Sequence, residues 1–291
     1  MKIASRQRTG GVPDVHGLRI PERTVELLRE LINSTCGIYY DDARVDLLRD
    51  RLVPLAIERG FDSLLDYYYL LKYDAGGALE WPRVMDALSV QETYFWRESD
   101  QFRALTRTIV PQLIAQGRHL IRIWSIPCAT GEEPLSIAMA LEEAGAFRRA
   151  AFQIHASDAS EAALAKAAQR RYGRRSFRQL PDHLRDKYFT RAAGREEWTV
   201  SQALFDRVTS WSRLNIMSPA ESASLATCDV IFCRNLFIYF TPVSVLDVVT
   251  RLGAAMPSPG FLCVGAAESL LRLSTVFDLK DLGGAYVYVK P

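Results

Sequence analysis

The apolar positions of the chain change their period near residue 100. Between about 20 and 90 they recur every three or four residues, the spacing of helices that bury one face. Pro21 opens a first helix with Val25, Leu27, Leu28 and Leu31 at its apolar positions. Val45, Leu47, Leu48, Leu52, Leu55 and Ile57 mark a second, which Pro54 kinks or breaks. Phe61 to Leu71, with Tyr67, Tyr68 and Tyr69, predicts a third helix, and Pro82 to Val90 a short fourth. This stretch reads as a small all-helical domain.

From Phe102 onward the pattern differs. A helix over 102–116 leads into short apolar runs at 121–126, 152–156, 208–211, 229–233, 261–264 and 286–289, which predict strands. Helical stretches at 132–144, 161–169 and 243–255 fit between them. Such alternation predicts an α/β fold, a mostly parallel sheet with helices on both faces. The stretch from about Arg170 to Ser212 is too long for a simple crossover and predicts an inserted subdomain. Residues 1–19 contain glycine, proline and several basic residues, and read as a mobile arm. The expected division is therefore 1–19, 20–96 and 97–291.

Composition narrows the class. An apolar content of 48% suits a globular chain with a full core. A formal charge of +2 argues against bulk nucleic-acid binding. No apolar run approaches the roughly 20 residues of a membrane span, and Met1 to Val12 lack the apolar region of a secretory signal. Five cysteines without paired spacing predict reduced thiols in a cytoplasm. His16, His119, His155 and His183 are scattered, so no metal site is expected.

The candidate chemistry starts where the run 121–126 meets the small-residue loop Pro127 to Gly131. Glu132 and Glu133 follow in a first helical turn, with Pro134 where a helix tolerates proline. In open α/β sheets ligands bind outside the carboxyl ends of strands, at such junctions. Two carboxylates stand where a helix N-terminus would receive a phosphate. A ligand with cationic or hydroxyl groups therefore suits the loop better. Its one glycine does not make G-x-G-x-x-G, and the chain has no G-x-x-x-x-G-K-[ST]. A dehydrogenase and a P-loop enzyme are thereby disfavoured.

Asp158 ends the next strand, where it either accepts both hydroxyls of a ribose or caps the following helix. Residues 91–98, Gln-Glu-Thr-Tyr-Phe-Trp-Arg-Glu, face a ligand or form an amphipathic connector with buried aromatics. In 229–240 a buried strand ends in Arg234-Asn235 and continues apolar to Tyr239. Polar groups there face the ligand crevice; otherwise Asn235 is a turn residue and Tyr239 packs in the core. Asn215 is a further crevice residue or a turn former. Arg170, Arg171, Arg174, Arg175, Arg178, Arg185, Lys187 and Arg191 form a basic cluster, either a solvated face or a docking surface for an acidic partner.

Together these motifs resemble the chemotaxis-receptor glutamate methyltransferase family, known as CheR. The family pattern has Asn-x-Thr-x-Phe-Phe-Arg-Glu, Ser-Thr-Gly-Glu-Glu-Pro, Ala-Ser-Asp and Cys-Arg-Asn-x-x-Ile-Tyr-Phe segments. This chain shows Gln91 to Glu98, Ala129 to Pro134, Ala156 to Asp158 and Cys233 to Phe240, in the same order and at compatible spacing. Gly260, Ala267-Glu268-Ser269 and the ending Ala285 to Tyr288 are similar too.

The resemblance implies a cytoplasmic, S-adenosylmethionine-dependent enzyme. Its product would be S-adenosylhomocysteine, and its substrates glutamates on chemoreceptor cytoplasmic helices or on a related signalling protein. It implies a Rossmann-like methyltransferase domain with a small inserted β-subdomain, preceded by a small all-helical domain. It places Gln91, Thr93, Arg97, Glu133, Asp158, Asn215, Ile216, Arg234 and Asn235 at the cofactor, with Arg97 and Tyr239 nearest the transferring methyl. No nucleic-acid or membrane-inserted partner is implied. Gln91, Trp96, Pro127, Ala129 and Leu135 depart from the pattern and bear on fine cofactor geometry rather than reaction class. Two alternatives are a catalytically idle module that binds the cofactor or its product, and a same-fold methyltransferase acting on another protein or a small molecule.

Overall fold

A computed structural model describes residues 18–21 and 23–291. Of the arm expected at 1–19, residues 1–17 lie outside the described residues. The last two are docked: Leu18 is buried, Arg19 donates its N–H to Asp62 O at 2.9 Å, and Leu64 N–H returns to Arg19 O. The chain divides into two compact units, one ending at Ser89 and one starting at Val90.

The first unit holds α1 (Thr24–Cys36), α2 (Val45–Glu58), α3 (Leu64–Tyr73) and α4 (Gly77–Leu88). Helix α1 buries Thr24, Leu28, Ile32 and Cys36, a stripe with a spacing of four. Helix α2 runs unbroken through Pro54 and buries Leu48, Leu52, Val53 and Ala56. Helix α3 starts after Ser63, whose hydroxyl accepts the Leu65 N–H, and so begins later than the apolar run that announced it. Helix α4 begins at Gly77, with Pro82 inside it rather than opening it. Glu80, fully buried, accepts from Tyr67 Oη at 3.0 Å and Arg59 Nε at 2.5 Å, so its charge is paired as burial demands.

The second unit opens with α5 (Ser99–Ala104) and α6 (Val110–Ala115), joined through a π turn at Leu105–Ile109. Pro111 lacks an N–H and its ring crowds the carbonyl four residues back. The wider turn just before it makes room. The strands β1 (Leu120–Ser125), β2 (Ala151–Asp158), β3 (Arg171–Gly173), β4 (Phe189–Arg191), β5 (Glu197–Val200), β6 (Val208–Arg213), β7 (Val230–Phe232), β8 (Gly260–Cys263), β9 (Asp278–Asp281) and β10 (Tyr286–Lys290) then follow. Between them lie α7 (Glu132–Glu143), α8 (Glu161–Gln169), α9 (Asp182–Tyr188), α10 (Gln202–Phe205), α11 (Pro219–Ser222) and α12 (Pro242–Ala255).

Seven strands form the main sheet in the order β6-β2-β1-β7-β8-β10-β9, parallel except for β10, which runs against both neighbours. β7 and β8 are buried at every position, as central strands covered on both faces must be. The chain lays β2 and β6 on one side of β1 and β7 on the other. The loops after β1 and β7 therefore part, and a crevice opens at their carboxyl ends. β9 was not expected: its sequence Asp-Leu-Lys-Asp has no apolar run, because it pairs only at the sheet edge.

The insertion is a separate antiparallel sheet, β3-β5-β4, with α9 beside β4. Phe95 is fully buried against it, its ring 4.8, 5.3 and 4.9 Å from those of Tyr172, Phe177 and Phe189. Its N–H donates to Ser176 O, and Trp96 N–H donates to Ser136 Oγ. These anchors correct the expected boundary at 96: residues 90–96 belong to the second unit. Among the described residues, no helix is long and apolar enough to cross a membrane.

Candidate functional site

The loop after β1 needs its small residues. Ala129 and Gly131 take left-handed backbone, with φ of +46° and +98°. A Cβ at Gly131 would stand 2.9 Å from the Trp211 ring, so glycine serves both conformation and room. Asp158, 4% exposed, braces this loop from the end of β2. Its Oδ2 accepts the Ala129 N–H at 2.8 Å, and its Oδ1 accepts the Ser160 N–H at 2.9 Å. The cap of α8 is Ser160, whose hydroxyl accepts the Ala163 N–H, so the helix-cap reading of Asp158 is corrected. Glu132 ties the loop to the insertion. It accepts from Thr130 Oγ1 at 2.6 Å and Ser176 Oγ at 2.9 Å, while Tyr172 Oη donates to Thr130 O.

Arg234, at the end of β7, joins three segments. Its side chain is 1% exposed. Nη1 donates to Glu133 Oε2 at 3.0 Å, and Nη2 donates to Arg97 O at 2.7 Å. Glu98 Oε2 lies 3.2 Å away, at ion-pair distance without an aligned hydrogen bond. Nε makes no hydrogen bond among the described residues. Glu133 Oε1 accepts from Ser125 Oγ at 2.7 Å. Burial pushes the Glu133 carboxyl above its ordinary range, although the Arg234 guanidinium and the Ser125 hydroxyl pull the other way. Burial would lower the Arg234 pKa, but Glu133 and Glu98 outweigh it and leave the guanidinium firmly charged.

Trp96, Glu98, Ala129 and Asn235 are four of the five non-glycine residues with left-handed backbone among the described residues, and all four lie on these loops. Each such residue costs on the order of 1–3 kcal/mol and persists only where its surroundings hold it.

The loops border a narrow crevice lined by Val90, Glu92, Thr93, Tyr94, Arg97, Phe102, Pro127, Ala129, Glu133, Arg234 and Asn235. Of the expected site residues, Thr93, Arg97, Glu133, Arg234 and Asn235 meet here, with Asp158 one hydrogen bond behind Ala129. Four others do not reach its wall. Gln91 is turned toward α8, where Oε1 accepts from Lys166 Nζ at 2.7 Å and Nε2 donates to Ser160 Oγ. Asn215 makes a turn, its Oδ1 accepting the Met217 N–H at 3.0 Å. Ile216 is buried beside it, and its carbonyl accepts from Arg251 Nη2. Tyr239 ends the short turn Phe237–Tyr239 beyond Asn235.

Sequence reasoning missed the roles of Glu92 and Tyr94. Arg178 reaches over from the insertion, 3.7 Å above the Tyr94 ring and 2.6 Å from Glu92 Oε1. Both stood inside the 91–98 motif, but their partner Arg178 lies 86 residues beyond Glu92. Glu268, behind the crevice wall, was visible only as part of a family-like segment. Five arginines of the basic cluster, at 174, 175, 178, 185 and 191, line a second groove on the insertion with Phe177, Phe189 and Trp198.

The crevice carries two guanidinium groups, Arg97 and Arg234, and two carboxylates, Glu92 and Glu133. Such a wall suits a ligand bearing both signs of charge. Cys128 offers no nucleophile: it is fully buried, and burial pushes its thiol well above the ordinary range.

Residues 91–283 match the family model described as CheR methyltransferase, SAM binding domain. Residues 23–89 match CheR methyltransferase, all-alpha domain. Chemotaxis protein methyltransferase 2 of Vibrio cholerae is 34% identical over 269 residues, covering 90% of this chain and 91% of that protein. Chemotaxis protein methyltransferase 1 of Pseudomonas aeruginosa is 32% identical over 269 residues, covering 90% of this chain and 96% of that protein. The probable biofilm formation methyltransferase WspC of Pseudomonas putida is 31% identical and covers 92% of this chain and 61% of that protein.

The buried hub predicts a pH-dependent defect. Arg234→Leu leaves Glu133 without its cation and is expected to lower stability by about 3–5 kcal/mol at neutral pH. Without Arg234 the Glu133 carboxyl rises further. A carboxyl raised in the fold adds stability that is present below its unfolded pKa and lost as pH rises through its folded one. The deficit should therefore be smallest in mild acid and grow as pH rises through the raised Glu133 pKa. Urea unfolding of both proteins across that range checks this.

Proposed function

Since the chain belongs to the CheR methyltransferase family, we propose that it works in the cytoplasm, moving a methyl group from S-adenosylmethionine to glutamate side chains. These glutamates lie on the cytoplasmic helices of a chemoreceptor or a related signalling protein, and S-adenosylhomocysteine is released. One observation carries this reading: the Arg234 hub gathers Glu133, Arg97 and Asn235 onto one crevice at the point where the strand order reverses.

The residues present fit the cofactor. Its amino-acid end carries both signs of charge, as the crevice wall does, and the buried Arg234 Nε is a donor without a partner among the described residues. Glu133 would anchor the ammonium end and Asp158 the ribose. Thr93 and Asn235 would line the cofactor, with Phe102 and Pro127 as apolar walls.

The cofactor supplies a methyl group already activated on a sulfonium. A glutamate side chain with its usual pKa near 4.3 is an anion at neutral pH, so no residue of this chain must act as a base. The work left to the protein is alignment and exclusion of water. Arg97, on the crevice wall, orients the incoming carboxylate, with Tyr239 on the turn beyond that wall as the second candidate. Arg97 Nη1 already donates to Glu92 O at 3.2 Å, and its Nε lies 4.0 Å from Glu98 Oε1. It can therefore guide an anion without clamping it, since a tight bidentate pair would blunt the nucleophile. The groove on the insertion, where five arginines outnumber the lining Asp186 and Glu196, supports an acidic protein target.

Methyl-labelled S-adenosylmethionine, incubated with the protein and receptor-bearing membranes, tests the reading. Label should enter receptor bands and leave as methanol on mild alkali. Alkali-stable label, or none on any receptor, contradicts it.

The same assay, combined with calorimetry, separates the roles. Arg97→Ala should lower turnover by about tenfold to a hundredfold while changing S-adenosylhomocysteine affinity little. Asp158→Ala should do the reverse.

A further inference from the structure

Behind the crevice wall sits a buried carboxylate that the transfer reaction does not touch. Glu268 is 6% exposed and follows β8. Its Oε2 accepts the N–H of Asn235 at 2.7 Å and of Gly265 at 2.6 Å, and its Oε1 accepts the N–H of Ile238 at 3.2 Å. No ion pair to Glu268 occurs among the described residues, so backbone dipoles alone compensate its charge.

Those three donors are not a random set. Asn235 lines the crevice in a left-handed conformation, with φ of +59°. Ile238 is the middle residue of the turn that ends in Tyr239. Gly265 lies where the two loops touch. A Cβ there would stand 2.5 Å from Asn235 Nδ2 and 2.8 Å from Glu268 Oε2, so the position has no room for a side chain. One carboxylate thus pins the strained crevice residue, the turn after it and the loop it packs on.

We propose that Glu268 is a positioning residue: it holds Asn235 and the turn carrying Tyr239 in register with the crevice, and so acts on the cofactor through Asn235. Without it, Asn235 loses the bond that selects its left-handed conformation, one asparagine tolerates but does not prefer over the commoner right-handed and extended regions. The neutral isostere cannot replace it. A glutamine turned one way leaves Ile238 N–H without an acceptor. Turned the other way, it sets an amide NH₂ against two N–H donors. Each buried group left unsatisfied carries the full desolvation cost.

The proposal rests on cofactor binding and not on the identity of the methyl acceptor. Titration with S-adenosylhomocysteine therefore decides it even if receptor glutamates prove not to be the substrate. The test is a double-mutant cycle read by calorimetry. Glu268→Gln and Asn235→Ala should each weaken S-adenosylhomocysteine binding by about tenfold. The double variant should bind no worse than the weaker single variant, because both changes remove the same contact. A purely structural residue would instead lower the melting temperature and leave the affinity of the folded protein unchanged. That result would overturn the proposal, and so would losses that multiply in the double variant. If Glu268→Gln does not fold, the cycle is run with Glu268→Asp, which keeps the charge but withdraws it by one methylene. The same two results then decide.

Discussion

A guanidinium sealed from water must be matched where it lies, and the crevice is arranged around that requirement. Arg234 finds Glu133 from the helix after β1, Glu98 from the 91–98 segment and a backbone carbonyl at Arg97. Three pieces of chain far apart in sequence must therefore arrive together for any of them to be comfortable. A buried ion pair of this kind adds little net stability over an apolar replacement. Its value here is geometric, since the same contacts that neutralise Arg234 set the crevice wall.

The loops that meet at the hub are strained, and each has its own restraint. Asp158 holds Ala129, and Glu268 holds Asn235. Arg234 takes the carbonyl beside Glu98, and Ser136 Oγ takes the Trp96 N–H. Three of the four restraints on left-handed residues are thus charged groups paired with a backbone atom, bonds stronger than neutral ones. The insertion contributes too. Ser176 and Tyr172 grip the β1 loop, and Arg178 covers Tyr94 and Glu92. The inserted sheet is part of the site's framework.

Much of this was legible in the chain. The 121–126 run, its small loop and the Glu132-Glu133 turn announced a strand, a crevice and a helix, because local period and loop chemistry are local facts. The parallel sheet, the helical first unit and the inserted β-subdomain were legible for the same reason, or through the family pattern. What escaped depends on distant partners. β9 has no apolar run, since an edge strand needs none. Residues 90–96 were assigned to the wrong unit because Phe95 is anchored by the rings of Tyr172, Phe177 and Phe189, far along the chain. Gln91 and Asn215 bear amides suited to a ligand, yet Lys166 and the Met217 N–H engage them first. The function of Glu268 depends on three backbone donors that no sequence pattern displays.

The crevice between the β1 and β7 loops is the proposed seat of the cofactor. Hydrogen–deuterium exchange, followed with and without S-adenosylhomocysteine, tests it most directly. Amides at 91–98, 127–133 and 235–239 should slow markedly on binding, while those lining the arginine groove of the insertion at 185–198 should change little. Protection centred on that groove, with the crevice loops exchanging as before, would contradict the account.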